Sequence, residues 1–179
     1  MGRTRRTPVG TSYHARMADR AAAVHRVEVP EMLLADHAPW GRPDYASAFR
    51  LSTTRARSRT PEMWARAVFE EAPALLRPVL VFGWRVGLGL QLGPRPSPGS
   101  VLGWSMSEVG PDTVTLEAES RLLKARNVVV VDHSSVTWVT QVRFERPLAR
   151  PIWAVTSLVH HRVIPYLLRR AGRSLVGVE

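Results

Sequence analysis

The twelve residues GWRVGLGLQLGP, Gly83–Pro94, carry G-x-G-x-x-x-G at Gly87, Gly89 and Gly93, and the choice of fold turns on how they are read. As a phosphate-binding turn they would belong to a parallel α/β domain holding a dinucleotide. As a helix terminator they would lead into an antiparallel sheet. A dinucleotide turn needs a strand before it and a helix at once after it, so that backbone N–H groups and the helix dipole face the pyrophosphate. Here the preceding PALLRPVLVFGWR reads as helix, and Pro94, Pro96 and Pro98 follow. No helix can begin there, and no later acidic residue stands ready for a ribose. The glycines end a helix and permit a bent link, and no cofactor is expected.

Working outward supports that choice. Upstream, DYASAFRL places Tyr45, Ser47, Phe49 and Leu51 on one side and Arg50 on the other, the period of a half-buried strand. RTPEMWARAVFEEAP offers Thr60 as N-cap, Pro61 at the first helical position and Glu62 in the first turn, which predicts a short helix ending near Pro73. A second helix restarts there, with Pro78 as a complication. Downstream, VLGWSMSEV reads as one strand over Val101 to Val109, with Leu102, Trp104 and Met106 on a single face. The turn Gly110-Pro111-Asp112 leads to TVTLEAES, then RLLKARNVVVVD with an irregularity near Lys124 to Asn127, then SVTWVTQVRFE beyond the tight link His133-Ser134. A long closing helix, RPIWAVTSLVHHRVIPYLLRRA, gathers Ile152, Val155, Thr156, Val159, Val163, Tyr166 and Leu167 into one stripe, with Pro165 expected to bend it.

A chain of 179 residues, 45% hydrophobic and 22% charged, suits one domain with a single core. We place a flexible basic extension at residues 1–26, the domain at 27–171 and a tail at 172–179. The extension holds six arginines against Asp19, half of the net charge of +10. Lys124 is the only lysine among 25 basic residues, a bias that GC-rich coding explains without invoking nucleic acid. Contact of the extension with an anionic membrane stays open as a weak electrostatic attraction. No cysteine is present, which removes disulfides, thiolate metal sites and thiol nucleophiles. With neither a secretory leader nor an apolar run long enough to span a bilayer, a cytoplasmic protein is expected.

Candidate chemistry is sparse. Adjacent helical residues point about 100° apart, so His160 and His161 cannot chelate one ion together, and no metal is expected. Glu117 and Glu119 share a solvated strand face. Glu108, by strict alternation, continues the inward face of Trp104 and Met106. Arg85, beside Trp84, could reach a buried acid or an anionic ligand group. No G-x-S-x-G occurs. Trp104, Met106, Trp138, Val155, Val159 and His160 come from opposing elements yet share inward faces, as in the lining of an apolar pocket or in a filled core.

One strand, two helices and a meander closed by a long helix resemble the START-like (SRPBCC) superfamily, which includes polyketide cyclases and lipid-transfer proteins. Within it, the chain more closely resembles an actinobacterial domain-of-unknown-function branch. The resemblance spans residues 40 to 171 and is carried by DYASAFRL, WARAVFEEAP, GWRVGLGLQLGP, VLGW and IWAVTSLVHHRVIPYLLRR. It implies an α+β helix-grip fold, a curved antiparallel sheet wrapped around the C-terminal helix, with two short helices after the first strand. Five strands are clear where that fold commonly has six or seven, so a strand in residues 27–43 or a split near Ala125 should supply the rest. The implied function is a binding or carrier module for a hydrophobic, lipid-like or polyketide-like small molecule, with Gly87 to Gly99 near the mouth of its cavity. An enzyme of the cyclase or dehydratase type, leaning on His160, Glu108 and Arg85, is the alternative. An interaction protein using its basic extension is the third reading.

Overall fold

The computed structural model describes residues 23–34 and 41–174. Seven antiparallel strands form one curved sheet in the order β1-β2-β7-β6-β5-β4-β3, and a long helix closes the chain. The strands are β1 (Val24–Val27), β2 (Tyr45–Ser52), β3 (Ser100–Val101), β4 (Trp104–Val109), β5 (Thr113–Glu119), β6 (Leu123–Val131) and β7 (Ser135–Phe144). The helices are α1 (Glu31–Leu34), α2 (Pro61–Phe69), α3 (Leu76–Phe82) and α4 (Ala149–Arg173). The class is α+β.

Local chemistry accounts for the elements that frame the interior. Thr60 caps α2, its side-chain oxygen accepting from the backbone N–H of Met63 at 3.2 Å, and Pro61 needs no partner at the first position. Six of the nine α2 residues are buried, among them Trp64, Val68 and Phe69. The glycine stretch ends a helix. Leaving α3, the chain widens into a π turn over Gly83–Gly87, where Leu88 N–H reaches Gly83 C=O at 3.1 Å. Gly89 then adopts φ +65° and lets Leu90 N–H close on Trp84 C=O at 2.9 Å, satisfying a carbonyl that the helix end would orphan. Beyond it, Arg66 of α2 pins the proline-rich link through the carbonyls of Pro98 (3.1 Å) and Ser100 (3.2 Å).

Several expectations need correction. The segment Val101 to Val109 is no single strand: Leu102 (φ 48°) and Gly103 (φ 93°) make a two-residue hairpin turn joining β3 to β4. The β6 register runs unbroken from Leu123 to Val131 against β7, so no irregularity exists at Lys124 to Asn127. The irregularity lies in β4, between Met106 and Glu108. The sixth and seventh strands are the β3 dipeptide and β1, and β1 begins inside the segment assigned to the flexible extension. The closing helix continues to Arg173, two residues past the expected domain end. Residues 1–22, Trp40 and the last five residues of the expected tail lie outside the described residues.

The two faces of the sheet differ. Phe49, Leu51, Leu116, Val129, Val136, Trp138 and Val142 point to the helices and form the main core. The opposite face carries a small cluster of Ala48, Val128 and Val139, covered by Val29 and Leu33, and the Gln141 amide donates to Leu33 C=O at 2.6 Å. The α4 helix packs on α2 and on β1, β2 and β7, while α2 lies over β3, β5 and β6. Between them, under α3, the sheet is not fully covered.

Candidate functional site

A cavity of about 320 Å³ occupies that gap. Its floor is the sheet: Trp104 of β4, Ala125 and Asn127 of β6, and Thr140 of β7. One wall is α2 and α3, with Phe69, Leu76, Val79 and Leu80, continued by Trp84 and Leu88. The facing wall is α4, with Trp153, Thr156, His160, Val163 and Ile164. At the rim Val79 faces Val155 and Val159 across the opening, and all three are more than half exposed. A volume of this size falls within the usual range of small-molecule sites.

The floor is built by a hydrogen-bond chain. Trp138 Nε1 donates to Asn127 Oδ1 at 3.1 Å, and the Thr140 hydroxyl donates to the same oxygen at 2.6 Å. The Trp138 N–H is shared with Thr140 Oγ1 at 3.2 Å, so the orientation of Asn127 rests on the 2.6 Å contact as well: that length is ordinary for O–H···O and short for N–H···O, which puts the amide oxygen, and not the nitrogen, against Thr140 and Trp138. Two further indoles of the lining, Trp104 in the floor and Trp153 in the α4 wall, bury their N–H groups without a partner among the described residues. Such a group ordinarily costs about 1–3 kcal/mol relative to a satisfied one. Both rings stay because of their packing: Trp84 lies edge-on to Trp104 at 5.5 Å between centroids, and Tyr45 edge-on to Trp153 at 5.1 Å.

The histidine pair divides between two environments. His160 lines the cavity, with Nε2 at 3.4 Å from Ser47 Oγ, and its ring sits 6.2 Å from Phe49 and 5.9 Å from Trp153. Burial among these rings, helped by the neighbouring His161, pushes its pKa down to about 3, so His160 is neutral at physiological pH. His161 is turned toward Tyr45, whose Oη lies 2.6 Å from Nε2. Burial, and then the charge of Arg26, lower its pKa as well. Burial raises that of Tyr45.

Of the residues expected to line a pocket, Trp104, Val155, Val159 and His160 surround this cavity. The other four lie elsewhere. Trp138 is fully buried beside the floor, on the same helix-facing side of the sheet, 4.8 Å from the Phe69 ring, and bonds to Asn127. Met106 is half-buried against the core outside the lining. Glu108 departs from strict alternation because of the β4 bulge, which pairs it with Thr115 and returns Val109 to the inward face opposite Val114. Its carboxylate thus shares the outer face with Arg126 and Glu117. Arg85 is exposed and, among the described residues, bonds to the Leu92 carbonyl at 3.4 Å. Of the link Gly87 to Gly99, Gly87 and Leu88 border the cavity.

Sequence reading missed Asn127, Thr140, Trp84, Trp153 and Thr156. Asn127 was findable, because alternation from Ala125 to Val129 turns it inward and leaves one amide among valines. Trp153, Thr156, His160, Val163 and Ile164 also make a 3–4 spaced stripe, offset from Ile152, Val155 and Val159 by about one helical position. No charged side chain is among the described residues that line the cavity, no group of metal-ligating side chains occurs among the described residues, and no described helix is long and apolar enough to cross a membrane. No family model, curated protein or solved structure matches the chain.

Proposed function

We propose that this protein is a binding or carrier module for a hydrophobic small molecule, held in the cavity between sheet, α3 and α4, within a helix-grip architecture of the START-like kind. The observation that carries the proposal is the uncovered floor patch. An apolar hollow of about 320 Å³ opens between exposed Val79, Val155 and Val159, in a domain otherwise packed around buried tryptophans. Close packing is the rule for protein interiors, and an apolar void at the surface forfeits contacts that a ligand would restore.

The carrier reading is favoured over the cyclase or dehydratase reading by the disposition of the polar groups. His160 borders the hollow, but Glu108 is on the opposite sheet face and Arg85 is at the surface, so the acid–base partners that such chemistry would draw on are not assembled around it. Gently purified protein examined by native mass spectrometry should retain, or take up, one apolar molecule per chain. A chain that stays empty and fails to enhance an apolar fluorescent probe removes the proposal.

A further inference from the structure

We infer that the cavity selects an uncharged ligand bearing a hydrogen-bond acceptor, a ketone, ester or similar carbonyl on an apolar body, and that the Asn127 amide nitrogen is the group that reads it. This rests on the carrier reading and adds the chemical class of the ligand.

Three observations lead there. First, Asn127 is 3% exposed, lines the cavity, and has both hydrogen bonds on its oxygen, from Trp138 and Thr140. With the oxygen held by Thr140 and Trp138, Nδ2 and its two N–H donors make no hydrogen bond among the described residues, and Nδ2 is not sealed off, so it is open to the cavity that Asn127 lines. An amide donor that faces an apolar chamber is best served by a ligand group that accepts from it, and a carbonyl oxygen is the matching group. Secondly, the other polar groups do not supply that acceptor. The Thr140 hydroxyl donates to Asn127 and accepts from Trp138, Thr156 donates to Ile152 C=O at 2.9 Å, His160 Nε2 lies 3.4 Å from Ser47 Oγ, and none of these groups is within hydrogen-bonding reach of Nδ2. Thirdly, among the described residues no cationic side chain lines the chamber. A carboxylate or phosphate would enter without a counter-charge, which apolar surroundings penalise heavily. The ligand is therefore neutral. The volume holds about ten groups of water size at ~30 Å³ each, enough for a bicyclic or short-chain body carrying one carbonyl.

The test is a matched pair of probes, 1-acetonaphthone and 1-isopropenylnaphthalene, which differ in exchanging C=O for C=CH₂. Equilibrium dialysis against the intact chain should give the ketone at least a tenfold lower Kd. Equal affinity, or a preference for the alkene, overturns the donor assignment while leaving the carrier reading intact. Absence of binding by both at saturating concentration overturns both. In Asn127→Leu, which keeps the volume and removes the amide, the ketone should lose its advantage while the alkene stays within threefold of its original Kd. A persisting tenfold preference in that variant would show that the carbonyl is read elsewhere. Should the substitution prevent folding, the probe pair on the unaltered chain still decides the question.

Discussion

The two halves of α4 belong to one continuous helix and meet the sheet in opposite ways. From Ile164 onward the helix is sunk into the core: Leu167, Leu168, Ala171 and Gly172 are buried, and a Cβ on Gly172 would come within 2.8 Å of Leu51 Cδ2. Leu51 is itself fully buried and has nowhere to go. Over the first half, Ala149 and Trp153 alone are buried, while Val155, Leu158 and Val159 are exposed by 68%, 61% and 59%. Helical periodicity is the same in both halves. What differs is the opposing surface. The C-terminal half is pressed onto Leu51 of β2, whereas the N-terminal half touches β2 only along one edge, through Trp153, His160 and His161, and faces α3 across the hollow. An interior between a curved sheet and a long closing helix can therefore be shut at one end and open at the other with no change in the helix, and the open end is where the proposed ligand would be held.

The largest effect that tests this contrast is expected at the closed end. Leu168→Ala removes a fully buried side chain from a region without slack, and should cost about 2–5 kcal/mol in chemical denaturation, the range for such truncations in well-packed cores. A loss under about 1 kcal/mol would mean that the closed end relaxes as freely as the open one, and the contrast between the halves would fail.

Next in size is a pH effect from the open end. His160 is held neutral in the folded chain, with its pKa lowered to about 3 by burial and by His161, whereas the unfolded chain takes up that proton near 6.5. The unfolded state binds more protons in between, so stability is full above pH 6.5 and falls as pH drops toward 3. The slope approaches about 1.4 kcal/mol per pH unit for one such group, and His161, lowered in the same direction, adds to it. Urea midpoints at several pH values between neutrality and mild acid, taken on the unaltered chain and on His160→Gln, should show a steep fall in the first and a shallower one in the second. Parallel curves would place His160 in a better hydrated site than its neighbours Phe49 and Trp153 allow.

How much of this was legible in the sequence follows the same division. Alternation placed β2, β5 and β7 correctly, and the Thr60-Pro61 signal placed the start of α2, because each depends on side chains a few residues apart. The glycine stretch was readable as a helix end for the same reason. The β4 bulge was not, since nothing in WSMSEV marks the skipped residue, and it moved Glu108 from the expected interior to the outer face. The hairpin at Leu102-Gly103 was hidden by a leucine at positive φ, a conformation that propensity assigns to Asn or Gly. The α4 stripe illustrates the limit. Periodicity finds an apolar face but not which part of its arc meets the sheet: it turns Val155 and Val159 toward the cavity, which they line, but does not tell that they do so from an exposed rim. Whether a set of inward aromatics fills its space or leaves a hollow depends on the distance between elements, which no local pattern encodes.

The rim gives the smallest and most discriminating effect. Val155 contributes few contacts to the core, so Val155→Ala should change stability by no more than about 0.5 kcal/mol, as surface substitutions do. Because Val155 also borders the cavity, opposite Val79, the same change removes apolar surface from the entrance, and the Kd for an apolar probe should weaken measurably although the fold does not. In Leu168→Ala the two readouts should move the other way round, with a large loss of stability and little change in probe affinity, since Leu168 does not border the cavity. If instead stability and affinity fall together in both variants, the two halves of the helix act as one cooperative core, and the hollow is a packing fluctuation rather than a site.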